Sequence, residues 1–139
     1  MTEFSHRIRV FVYRYTDGHP NYLLLRSAQI ESFWTPLHTP LGFDEKLEVA
    51  IRRGVATEVG VPTATKLIDL KMPSRWLIGD EEIIEWNFGF QAPPRNALNV
   101  DTTRWSAFRW AMFASAYPSL ELENDRAAIV RLHALLHAA

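Results

Sequence analysis

One short sector of the chain gathers residues at a spacing suited to metal and phosphate chemistry. Gly54, Thr57 and Glu58 fall within one narrow arc of a helix, because helical residues advance about 100° each. Three carboxylates in that arc would hold a divalent cation against a phosphate chain. The chain supplies one, Glu58, beside a glycine and a threonine. Glu82 and Glu85 downstream are candidate replacement carboxylates, and the plainer expectation for both is a solvated strand acid. His38, in a Pro-rich loop, is a candidate phosphate contact, with a solvated loop histidine as its ordinary alternative. His133 and His137 have a spacing that can bind zinc. They lack the Glu of an H-E-x-x-H pattern and a nearby third ligand, so they read as two exposed histidines near a chain end.

The element that carries the arc is a predicted helix over residues 44–60. Leu47, Ala50, Ile51, Val55 and Val59 recur at three- and four-residue steps and give it one apolar face. Asp44 is the expected N-cap, with Glu45 and Glu48 near the positive end of the helix. Gly60 is the stop signal, and Pro62 cannot continue the helix. Upstream, residues 7–15 and 21–27 read as a hairpin around Thr16-Asp17-Gly18-His19-Pro20. In the first strand Ile8, Val10 and Val12 point one way and Arg9, Phe11, Tyr13 and Tyr15 the other, so both faces are partly covered. Residues 28–44 read as one long loop, a common home for function.

Downstream, residues 64–72, 75–78 and 82–91 read as strands. In the last of these Ile84, Trp86, Phe88 and Phe90 make the core face. Glu85, Asn87 and Gly89 are expected to face a cleft or water. A final strand over 105–110 leads to a short helix over 111–117, ending near Pro118. Asn124 is the expected N-cap of a terminal helix with Ala128, Ile129, Leu132, Leu135 and Leu136 as its stripe.

The stretch around the first helix resembles a Nudix box, G-x5-E-x7-R-E-U-x-E-E-x-G-U, where U is a bulky aliphatic. Registered on its end, the box places Glu45, Arg53, Val55, Glu58, Gly60 and Val61 on matching positions, and Ala50 where a small residue is usual. The departures are Thr39 for the opening glycine and Gly54 and Thr57 for two of the three glutamates that the resemblance makes metal ligands. The resemblance covers nearly the whole chain, and it is nearest to the nucleoside- and dihydroneopterin-triphosphate pyrophosphohydrolases. It implies an α+β fold of Nudix type: an α/β/α sandwich with a mixed sheet between the box helix and the C-terminal helix. It implies hydrolysis of a nucleoside diphosphate linked to another group, with Glu58 as catalytic acid and metal ligand. Glu82 or Glu85 would help, with Mg²⁺ or Mn²⁺ as cofactor if the site is active and none otherwise. It makes Arg26 a candidate cleft arginine, with a surface-snorkelling side chain as the alternative. It makes Glu45 and Arg53, with Gly60, the structural part of the box. Another metal-binding glutamate is usual just before the last strand, where this chain has Arg104. The expected protein is therefore a divergent hydrolase, weakly active or inactive. The alternative is a non-catalytic module that binds a nucleotide, another small phosphate-bearing ligand or a protein.

Composition sets the remaining bounds. A chain of 139 residues suits a single domain, and 47% hydrophobic residues can furnish its core. A net charge of −1 offers no field to attract a nucleic-acid polymer. There is no cysteine, which removes disulfides and thiolate metal sites. The N-terminus reads as no signal peptide, and no apolar run approaches the ~20 residues of a membrane helix. The expectation is a cytoplasmic protein with a small phosphate-containing partner, with a homodimer left open.

Overall fold

The first strand pairs with three others and organises the sheet around itself. The structure, a computed structural model, describes residues 3–29, 33–42, 44–95 and 97–137. Strand β1 (Glu3–Thr16) turns at Asp17 and Gly18, both at positive φ, into β2 (His19–Ser27). Two successive positive φ values match the twist of a tight hairpin, and glycine takes one of them without strain. Two short strands follow, β3 (Trp34–Thr35) and β4 (Leu37–Pro40), then helix α1 (Leu47–Val59). Strands β5 (Lys66–Asp69), β6 (Ser74–Ile78), β7 (Glu81–Gln91) and β8 (Trp105–Met112) lead to α2 (Phe113–Ser119) and α3 (Glu123–His137).

The main path of the sheet runs β3-β2-β1-β7-β5, with β4 on β1, β6 on β7 and β8 on β2. The β1–β7 pair is parallel and the other pairs are antiparallel, so the sheet is mixed. Alternation along the strands then makes two cores. Ile8, Val10, Val12, Leu23 and Leu25 pack with Ala50, Ile51, Val55 and Val59 of α1. Phe11, Tyr13, Tyr22 and Leu24 pack with Ala116 of α2 and Ala128, Ile129 and Leu132 of α3. The predicted α/β/α sandwich is the architecture observed.

Several local expectations are corrected. Lys46, not Asp44, precedes the first helical residue, and no side chain caps it. Asp44 sits in a turn at φ 58, and Glu45 instead accepts from the Gly42 N–H at 3.0 Å. Asn124 lies inside the first turn of α3, which begins at Glu123. Leu135 is exposed rather than part of the buried stripe. The strand over 64–72 shrinks to β5, and β8 runs on to Met112, which shifts α2 to 113–119 with Pro118 in its last turn. The polar face of β7 does not meet water: Glu85, Asn87 and Gly89 are buried, and Gly89 packs under Leu132 of α3.

Candidate functional site

The end of α1 and the segment after β7 meet by backbone hydrogen bonds, and that junction builds the site. Gly60 closes α1 in the left-handed conformation, as its sequence position predicts. The chain then returns across this end. Asn99 N–H donates to Val59 C=O at 2.9 Å, and Asp101 N–H donates to Glu58 C=O at 2.8 Å. The contact is close enough that a Cβ on Gly60 would fall 2.7 Å from the Cβ of Asn99. Asp101 Oδ1 accepts from the Thr103 amide and hydroxyl, and its carbonyl accepts from the Arg104 amide. The return segment therefore delivers Arg104 to Glu58, with Nη1 3.1 Å from Oε1. Arg104 Nη2 also donates to His38 C=O at 3.0 Å.

Glu58 is buried, and burial pushes its carboxyl above the usual carboxylate range. Arg104, the Thr39 hydroxyl, the Trp105 side chain and Arg53 oppose that shift. Gly54 lies against β4 rather than an open cleft; an added Cβ would stand 3.0 Å from Thr39 Cγ2. Thr57 is exposed, and its hydroxyl donates to the Arg53 carbonyl at 2.8 Å. Glu82 pairs with Arg75 at 3.0 Å. Glu85, on the opposite face of β7, pairs with Arg9 at 2.6 Å, and Arg9 also holds Asp125 of α3. Glu58, Glu82 and Glu85 are thus each committed to a different arginine, and among the described residues no three acid or histidine side chains converge on one point. This donor set does not fit a resident Mg²⁺ or Mn²⁺, which asks for several oxygens about one centre.

A cavity of about 470 Å³ opens beside this junction. Arg7, Arg9, His38, Arg104, Trp105, Thr35, Thr103 and Phe33 are among its lining residues, and no described carboxylate is. The acids that balance these arginines, Glu58, Glu85 and Asp125, lie behind the wall. His38 is not a loop residue. It sits on β4 directly opposite Arg9 of β1, with its ring edge-on to Trp105 at 5.3 Å. Burial, together with Arg9, Arg104 and Arg7, lowers its pKa to about 4, so its ring is neutral near pH 7. Arg26 is not among the lining residues: its guanidinium stacks on Trp34 at 4.4 Å, with Arg109 over the same ring at 4.9 Å.

Arg53 grips Glu45 with two bonds, 2.8 and 3.0 Å, and donates to Pro40 C=O at 3.2 Å, tying the loop to the helix. His133 is half-buried rather than exposed. Its Nδ1 pairs with the Tyr22 hydroxyl at 2.6 Å, and its Nε2 with His137 at 3.0 Å.

Restoring the missing acid tests the crowding at Gly54. Gly54→Glu is expected to lose about 1–3 kcal/mol by overpacking against Thr39, more than the roughly 0.5–1 kcal/mol gained by removing a helical glycine. It is also expected to gain no Mn²⁺ binding. Thermal melts and Mn²⁺ paramagnetic titration check both.

No protein-family model and no curated protein sequence matches this chain. Solved structures do. A Listeria monocytogenes protein described as a Nudix hydrolase superposes with a TM-score of 0.82 at 16% identity, covering 94% of this chain and 93% of that one. The Escherichia coli dihydroneopterin triphosphate pyrophosphohydrolase gives 0.77 at 19% identity, covering 92% and 95%. The Nudix domain of Shewanella oneidensis NrtR, solved with ADP-ribose, gives 0.77 at 13% identity, covering 98% and 89%. Likeness at these identities is likeness of architecture, and the chain has the fold of the Nudix hydrolases.

Proposed function

We propose that this chain is a divergent Nudix-fold protein with weak or no pyrophosphohydrolase activity, which binds a small phosphate-bearing ligand in the arginine-lined cavity. The observation that carries this reading is the inversion of charge at the site. The cavity wall presents Arg7, Arg9 and Arg104, while Glu58, the one acid retained of the helix-face triplet, is spent on Arg104. Hydrolysis needs an activated water and a cation beside the diphosphate. A wall of guanidiniums supplies charge for binding but no group poised to activate water. Neutral His38 adds one donor and one acceptor. The same architecture holds ADP-ribose, a diphosphate, in the NrtR Nudix domain, which agrees with a phosphate-bearing ligand here.

In this reading His38 is a binding residue, and Arg26 acts from outside the cavity by fixing Trp34. Glu58 is the only box acid left for catalysis, so any residual turnover depends on it, with Glu82 and Glu85 kept from assisting by their arginine partners. A release screen over nucleoside triphosphates, nucleotide sugars and dihydroneopterin triphosphate, with Mg²⁺ and with Mn²⁺, tests the proposal. Binding without turnover, or slow turnover, is the expected result. Fast hydrolysis abolished by Glu58→Gln would make the protein an ordinary enzyme and overturn it.

A further inference from the structure

We propose that Arg104 is the resident cation of this cavity: a side chain takes the post beside Glu58 that a divalent ion would otherwise fill, and ligand binding is metal-independent. This rests on the phosphate-ligand reading above and specifies how that ligand is held.

Four observations converge on Arg104. Its position is fixed through the backbone, by its N–H to Asp101 C=O at 3.1 Å and by its C=O accepting from Ala28 N–H at 2.9 Å. Its guanidinium is fixed on two sides, by Glu58 at 3.1 Å and by His38 C=O at 3.0 Å, with Trp105 5.1 Å from its Cζ. It still lines the cavity, and 38% of its side chain is exposed, so a ligand can reach it. Gly54 is packed on Thr39, so a second acid beside Glu58 would require the Thr39 side chain to give way.

The chemistry follows from the inventory of a guanidinium. It has five N–H donors in a planar fork; one is spent on the His38 carbonyl, Glu58 faces the guanidinium as an ion-pair partner, and the remaining donors are open to an anion. A phosphate oxygen pair matches such a fork, and the order already imposed on Arg104 lowers the entropy lost on binding. Arg7, also lining the cavity, is in none of the ion pairs among the described residues and offers a second positive contact. A terminal phosphate or a diphosphate would span the two. Glu58 then serves as the counter-ion that keeps Arg104 in place, a positioning residue rather than a metal ligand.

Calorimetric titration of the full chain with ADP-ribose and with inorganic pyrophosphate tests this, in excess EDTA and again in excess Mg²⁺. Wild type is expected to bind at least one probe in EDTA with an affinity that Mg²⁺ does not improve. Arg104→Ala is expected to weaken that binding in EDTA by roughly 10- to 100-fold, the range of a lost charge-assisted hydrogen bond. Arg104→Lys, which keeps charge but not the fork, is expected to fall between, and it serves where the alanine variant does not fold. Arg104→Ala/Glu58→Gln removes both charges and is expected to fold without recovering affinity. Binding that EDTA abolishes and Mg²⁺ restores would overturn the resident-cation assignment and leave the phosphate-ligand reading standing. So would an Arg104→Ala protein that binds like wild type. Failure of both probes in both buffers would overturn the two together.

Discussion

Arg9→Met is expected to destabilise the fold by about 3–5 kcal/mol, because it strands two buried carboxylates. Arg9 is itself buried, Glu85 is 1% exposed and Asp125 is 0% exposed, and each acid forms its own ion pair with that guanidinium. Methionine preserves much of the stem volume, so loss of packing is a small part of the effect. For a domain of this length each kcal/mol moves the melting midpoint by roughly 3–4 °C, giving a fall of roughly 10–20 °C. The buried triad links β1, β7 and α3, and it also sets the arginine wall of the cavity, so ligand affinity should fall in the same variant. A charge-free replacement of all three residues by apolar side chains is expected to recover most of the lost stability without recovering affinity. Thermal melts at neutral pH decide the matter: an Arg9→Met midpoint within a few degrees of wild type would mean the carboxylates do not depend on Arg9.

The triad also shows where the sequence ceases to be legible. Apolar spacing over 47–59 located α1, its buried face and its glycine stop, since a long amphipathic pattern has few alternative explanations. The same pattern put Arg9 on a face with Phe11 and Tyr13. A charge among aromatics on a covered face is a signal for a buried partner, and the sequence does not say which, because the partners lie far along the chain. Glu85 comes from a parallel strand 76 residues away and Asp125 from the terminal helix. The place of His38 is illegible for another reason. Strands of two and four residues beside Pro36 and Pro40 carry too little alternation to be told from a loop, and edge positions tolerate proline. Arg104 stood out as a departure from the box family, but its meaning depends on the crossing of residues 99–101 over the end of α1. Hydrogen bonds between two backbones leave no side-chain signature.

Asp125 and His38 should pull the pH dependence of stability in opposite directions, and separating them is the second large effect expected. Burial, opposed by Arg9 and reinforced by Glu85, raises the Asp125 carboxyl from 3.8 to about 6. The folded protein then holds a proton that the unfolded chain has released, so this contribution is full below the unfolded value and is lost as pH rises through about 6. Its size is roughly 3 kcal/mol. His38 works the other way. Its imidazole is lowered from 6.5 to about 4, so between those values the unfolded chain holds the extra proton. Stability from His38 therefore rises with pH across that window, again by roughly 3 kcal/mol. In wild type the two slopes nearly cancel between about pH 4 and pH 6. Asp125→Asn removes the falling term, and its stability relative to wild type should rise with pH. His38→Gln removes the rising term, and its relative stability should fall. Glu45 and Asp101 are shifted down and Glu58 up, but these shifts are common to all three proteins and drop out of the differences. Urea unfolding across the window measures both differences. If the Asp125→Asn difference stays level with pH, its carboxyl keeps an ordinary affinity for protons inside the fold.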